Sequence, residues 1–171
     1  VGTTRPRINA REGLSPEEED KRARALAVEK WFSLLGVMGD LCELVRKVGK
    51  CDDEVLRQSL VDALAPKAEA TLKARGAVLE AYFKWARERG LQLAPLTEEV
   101  VYTYFAALRD ARAPPSRAKS TMSALAFAAF ALGLDGVKEA LASPRVKEVS
   151  FAQFVQKRLT GSPRSKRQVQ W

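Results

Sequence analysis

The segment that most limits what this chain can become runs from Pro114 to Leu134, PPSRAKSTMSALAFAAFALGL. Its first turns carry Ser116, Arg117, Lys119, Ser120 and Thr121. From Met122 onward it is almost wholly apolar, with Leu125, Phe127, Phe130, Leu132 and Leu134 set among alanines. A helix that is apolar all round belongs in the middle of a bundle. The expectation is therefore a central buried helix whose polar, cationic amino end reaches the surface. Helix amino ends attract anions through unpaired N–H groups and the macrodipole. Arg117 and Lys119 make this tip a candidate phosphate-contacting surface. An ordinary core helix with a solvated first turn looks the same, so both readings stay open here.

Punctuation along the rest of the chain is helical. Ser15-Pro16-Glu17-Glu18 has Ser at an N-cap, Pro at the first helical position and Glu three residues after the cap. That helix is expected to continue through Leu26, Trp31, Leu34 and Leu35 toward Gly36 or Gly39. A short helix over Asp40–Val48 follows. Another is capped by Asp52 or Asp53 and carries Val55, Leu56, Leu60, Val61 and Leu64. Pro66 is expected to open a long helix closed by Gly90, with Leu72, Leu79, Tyr82, Phe83 and Ala86 on one side. Glu69/Lys73 and Glu80/Lys84 have the spacing of stabilising i,i+4 pairs. Thr97 caps a helix with Val101, Tyr104, Phe105 and Leu108 inward. Gly133 and Gly136 interrupt the chain before a short helix, Val137–Ala142, and a last one, Arg145–Leu159, with Val149, Phe151, Phe154 and Val155 apolar. The fold class is all-α, a multi-helix bundle. We divide the chain into a flexible basic tail at 1–13, an N-terminal helical subdomain at 14–65, a helical bundle at 66–160 and a basic tail at 161–171.

Composition narrows the chemistry. The 171 residues contain no His and two Cys, Cys42 and Cys51. A Cys/His zinc site, a catalytic triad or an imidazole general base cannot be built from this chain alone. No phosphate loop, nucleophile elbow or metalloprotease helix motif is present. We expect no metal, no cofactor and no small-molecule substrate. The cysteines read as reduced thiols, and VGTTRPRINAREG lacks a signal-peptide core. An intracellular setting follows as an expectation, nucleus and cytoplasm undistinguished, with no membrane partner because no run of 18 apolar residues occurs. The net charge is +8. Residues 1–65 hold 11 Lys/Arg against 12 Asp/Glu, and residues 66–171 hold 18 against 9. That asymmetry gives the second part the footprint of a polyanion binder.

The order of segments adds a resemblance. TLKARGAVLEAYFKWARERG is followed by PLTEEVVYTYFAAL, then SRAKSTMSALAFA, then SPRVKEV and a basic K-R-Q tail. From about Lys67 to Gln168 this resembles the N-terminal core-binding domain, of the SAM-like type, found in tyrosine recombinases, the phage-integrase-like enzymes that include those of eukaryotic mobile elements. The likeness lies in helix order and apolar spacing, with no invariant signature. It implies a helical domain that lies over double-stranded DNA and contacts its backbone and major groove from one side. It also implies that the catalytic tyrosine, with its Arg, Lys and His helpers, would belong to a separate C-terminal domain. Tyr82, Tyr102 and Tyr104 read instead as packing residues, as do Trp31, Trp85, Phe83 and Phe127. The chain is accordingly expected not to be an enzyme by itself.

Carried onto this sequence, the resemblance marks two helix starts and a tail as DNA-contacting: Lys67, Thr71, Lys73 and Arg75 in the first, Ser116, Arg117, Lys119, Ser120 and Thr121 in the second, and Lys166 and Arg167 in the tail. A C-terminal catalytic domain or another protomer is a further expected partner. The rival reading is a helical protein–protein interaction module with a basic surface. The two part on geometry: a DNA binder should gather Lys67, Lys73, Arg117 and Lys119 on one face, whereas an interaction module should expose an apolar patch of several hundred Å².

Overall fold

Ser15 accepts a hydrogen bond from the Glu18 N–H, and the Glu18 carboxylate accepts one from the Ser15 N–H, so the capping box forms in full. The helix it starts, α1 (Pro16–Met38), runs straight through Gly36 and stops at Gly39. The computed structural model describes residues 13–48, 52–91 and 96–151. Within them the chain continues as a 3-10 turn (Gly39–Leu41), α2 (Glu43–Val48), α3 (Asp53–Leu64), α4 (Glu69–Glu88), α5 (Glu98–Asp110), α6 (Ser116–Leu132), α7 (Val137–Ala142) and a helix over residues 144–151, α8. No strand occurs among the described residues, and the protein is all-α with bundle-like packing.

Side-chain caps fall where the sequence placed them. Asp52 accepts from the Glu54 N–H and Thr97 from the Val100 N–H. Gly133 ends α6 in the left-handed conformation. The start of α4 differs from expectation. It begins at Glu69 with no side-chain cap, and Pro66 and Lys67 stay in the turn before it. Arg24 of α1 holds that turn by donating to the carbonyl oxygens of Leu64 and Lys67. The short helix expected over Asp40–Val48 splits into the 3-10 turn and α2, because Cys42 adopts an extended conformation between them. That extended residue forms an antiparallel bridge with Leu134. Arg46 completes the clasp by donating to the Asp135 carboxylate at 2.5 Å and to the Asp40 carbonyl.

The two halves of the chain share one core. Trp31 of α1 is fully buried, donates its indole N–H to the Leu72 carbonyl of α4 at 3.0 Å, and stands edge-on to Phe127 of α6 at 5.5 Å. Leu60 and Leu64 of α3 join the same apolar cluster as Leu79, Phe105, Leu125 and Val146. The described helices of the segment 14–65 are therefore packed onto the later helices in a shared core. Among the expected i,i+4 pairs, Glu80 binds Lys30 of α1 instead of Lys84, and Lys84 turns to Glu88. A tertiary partner outcompetes the local one because exposed i,i+4 pairs are worth only about 0.3–0.5 kcal/mol.

Two local features carry predictions. Gly136 caps α7 at φ 80, and a Cβ there would lie 2.2 Å from the Leu96 carbonyl oxygen. Gly136→Ala combines left-handed strain with a backbone clash and should cost about 3 kcal/mol. Chemical denaturation measures it, and a loss below about 1 kcal/mol would show that this turn does not adopt the described geometry. The second feature is Cys42, which is fully buried, its thiol pushed up to about 12 by burial, with the Asp135 carboxylate adding to the shift. The thiolate is the reactive form. Iodoacetamide at pH 8 should leave Cys42 unmodified in the native protein and label it after unfolding, as read by peptide mapping. Cys51 lies outside the described residues.

Candidate nucleic-acid interface

The central helix is not buried all round, which corrects the expectation from its composition. Ala118, Thr121, Ala124, Leu125, Phe127, Ala128 and Leu132 face the core. Ser116, Lys119, Ser120, Ser123 and Ala126 are exposed, and Phe130 is 88% exposed. The exposed set repeats at helical spacing, so α6 presents an outer stripe that is polar from Ser116 to Ser123 and apolar at Ala126 and Phe130.

That stripe borders a groove of about 530 Å³ against α4. From α4 come Ala70, Thr71, Ala74, Arg75 and Val78; from α6 come Ser116, Lys119, Ser120 and Ser123. Spacings of four and three place Thr71, Arg75 and Val78 on one side of α4. The groove thus brings together five residues marked from sequence: Thr71, Arg75, Ser116, Lys119 and Ser120. No side-chain cap closes the α6 amino end, whose first residue, Ser116, lines the groove. Among the described residues neither Arg75 nor Lys119 is engaged in an ion pair. The Arg75 guanidinium lies over the Phe127 ring, 4.9 Å from its centroid.

The lining contains two cations, four hydroxyls and no carboxylate. The neighbouring grooves are different. The one between α1 and α4 mixes Lys30 and Lys73 with Asp20 and Glu69. Further along the same two helices, Lys30, Lys84 and Arg87 surround Glu80. On the far side of α6, Lys119 and Lys147 stand with Glu148, Met122 and the exposed Phe151.

Other marked residues fall elsewhere. Lys73 faces the α1/α4 groove, and Lys67 stays in the turn held by Arg24. Arg117 is half-buried on the Tyr104 side of α6. The four cations proposed as one face are consequently divided, with only Lys119 in the hydroxyl-rich groove. Thr121 is fully buried and donates its hydroxyl to the Arg117 carbonyl at 2.8 Å. It packs the core, so it has no surface from which to meet DNA. Lys166 and Arg167 lie outside the described residues. Phe127, read from sequence as plain core, turns out to support Arg75. The Phe-to-Arg proximity spans two helices, and no spacing within either one signals it. Ser123 and Val78 were missed as well, although each continues the i,i+4 or i,i+3 series of a marked residue.

The tyrosines pack as expected. Tyr82 is fully buried and Tyr104 nearly so, their rings 5.0 Å apart. Burial raises both phenols above their ordinary value; at Tyr104 the positive field of Arg117 works in the opposite direction. Tyr102 is half-buried beneath the Arg145 guanidinium. Among the described residues no cluster of three or more His, Cys, Asp or Glu could hold a metal ion. No described helix is long and apolar enough to cross a membrane.

Comparison with family models, with curated proteins and with solved structures finds no match to this chain.

Proposed function

We propose that this chain binds duplex DNA through the α4/α6 groove and does no chemistry on it, serving as the core-binding half of a clamp of the tyrosine-recombinase kind. The four-cation face first expected of a DNA binder does not form, and the observation that carries the reading is instead the groove's composition: Arg75 and Lys119 converge from two helices with Thr71, Ser116, Ser120 and Ser123, and no carboxylate lines it. Phosphate oxygens are the commonest acceptors in protein–DNA interfaces, and Arg, Lys and Ser/Thr are among their usual donors. Sequence order, through its resemblance to core-binding domains, points from a polyanion in general to the duplex in particular. The burial of Tyr82 and Tyr104 supports a non-catalytic role, since neither phenol is placed to attack a phosphodiester.

The test is binding of a fluorescently labelled duplex of about 30 base pairs, followed by anisotropy over a salt series. The expected result is weak binding, micromolar or poorer near physiological salt, with log K falling on log salt at a slope of about −2 or steeper, about one unit for each of the two groove cations. No binding at 20 mM salt would sink the proposal. A protein-contact role would instead draw on the α1/α4 groove, where Leu26 is 64% exposed beside Ala23, Ala70 and Ala77; its signature is a partner whose binding ignores salt.

A further inference from the structure

We infer that Arg75 is the phosphate-gripping cation of the α4/α6 groove and that Phe127 is its positioning residue, an inference that rests on the duplex-binding reading above. Four arginines of the described residues lie over aromatic rings: Arg57 on Phe32, Arg75 on Phe127, Arg89 on Trp85 and Arg145 on Tyr102. Arg57 is also paired with Glu29, and Arg145 with Glu99. Those two charges are already engaged by surface carboxylates of the same chain, and Arg89, which is unpaired among the described residues, does not line the groove. Arg75 has no ion pair and no hydrogen bond to another described residue, and it stands in the groove that lacks a carboxylate.

A cation–π contact has a specific consequence for a guanidinium. The ring attracts the charge without using a hydrogen bond, so the five N–H donors stay free for a bidentate contact. A phosphodiester offers two unesterified oxygens that match this fork. Phe127 can hold the fork because it is itself fixed. It is 7% exposed, with its ring edge-on to Trp31, and Trp31 is tied by its indole N–H to the Leu72 carbonyl. Orientation therefore passes from the core, through one ring, to a cation in the groove. A preoriented side chain loses less rotamer freedom on binding, which is where the gain in affinity arises.

The experiment uses the full chain, the same labelled duplex and a low-salt buffer, with a thermal melt for every variant. Arg75→Ala should weaken binding about ten-fold and shallow the salt slope by about one unit. Arg75→Lys keeps the charge and leaves the core untouched but loses the planar fork of donors; it should weaken binding about five-fold. Phe127→Leu should match that loss in the wild-type background and add nothing in the Arg75→Ala background. A merely structural effect of Phe127 would lower affinity equally in both. If Arg75→Lys and Phe127→Leu bind like wild type while Arg75→Ala is weak, charge alone suffices and the positioning role is overturned. If Arg75→Ala binds like wild type while Lys119→Glu does not, the duplex reading stands and Arg75 is not the grip. A wild-type chain that ignores the duplex at low salt overturns both readings together.

Discussion

Trp31→Ala should destabilise the protein by about 4 kcal/mol, the typical cost of emptying a fully buried Trp site. The side chain has no solvent exposure, and its loss removes contacts to two helices at once. Small domains are stable by only about 5–15 kcal/mol, so this one change removes a large share. The midpoint of thermal unfolding should fall by about 10 °C. Wild type should unfold in a single transition seen alike by far-ultraviolet circular dichroism and by near-ultraviolet signals. That coincidence follows from the shared core, in which α1 and α3 pack on α4 and α6. A loss under about 1 kcal/mol, or an early separate transition for the amino-terminal helices, would show that residues 14–65 are not welded to the rest. Duplex binding by the surviving folded fraction should drop too, because Phe127 loses the ring that fixes it.

Local punctuation was legible in the sequence because caps are local chemistry. Ser15 with Glu18, Asp52, Thr97 and Gly133 each act within about four residues, and each does in the fold what its type and position dictate. Facing was harder. In α6 the core-directed positions 118, 121, 125, 128 and 132 follow a regular three-four alternation, a usable signal. Alanine obscures it, since alanine is as tolerable outside as inside, and the helix reads as uniformly apolar. Phe130, opposite that alternation on the helical wheel, reads as core by hydrophobicity alone and is 88% exposed. Thr121 made the converse error. Its polarity suggested surface, but a helical Thr can satisfy its hydroxyl on the carbonyl four residues back and then be buried.

Pairings between helices were out of reach altogether. Nothing in the spacing of Glu80 selects Lys30 over Lys84, and nothing joins Arg75 to Phe127 across 52 positions. The site itself was half legible for this reason. Five residues marked by type, Thr71 and Arg75 on one wall and Ser116, Lys119 and Ser120 on the other, line a single groove. They could not tell which neighbours on the same helix turn the other way. Lys73 lies two residues from both Thr71 and Arg75, which on a helix swings it toward α1 and its carboxylates.

That division makes Lys119→Glu against Lys73→Glu the sharpest comparison on the binding surface. Both residues are exposed, both changes alter net charge by two, and neither cation is engaged in an ion pair among the described residues. A uniform polyanion attraction would therefore respond equally to either. Groove binding would not. Lys119→Glu puts a carboxylate into the lining that has none, beside Arg75, where it both repels phosphate and competes for the guanidinium. Affinity for the duplex at low salt should fall about thirty-fold or more, and the salt slope should shallow by about one to two units. Stability should hold, because position 119 lies near the amino end of α6, where a negative charge is favoured by about 0.3–1 kcal/mol at most. Lys73→Glu joins Asp20 and Glu69 on the α1 side and should weaken binding about three-fold, through long-range charge alone. Equal losses from the two reversals would mean that the positive half of the chain attracts DNA without a groove to seat it. A large loss from Lys119→Glu with a small one from Lys73→Glu is the outcome that the facing of α4 and α6 requires.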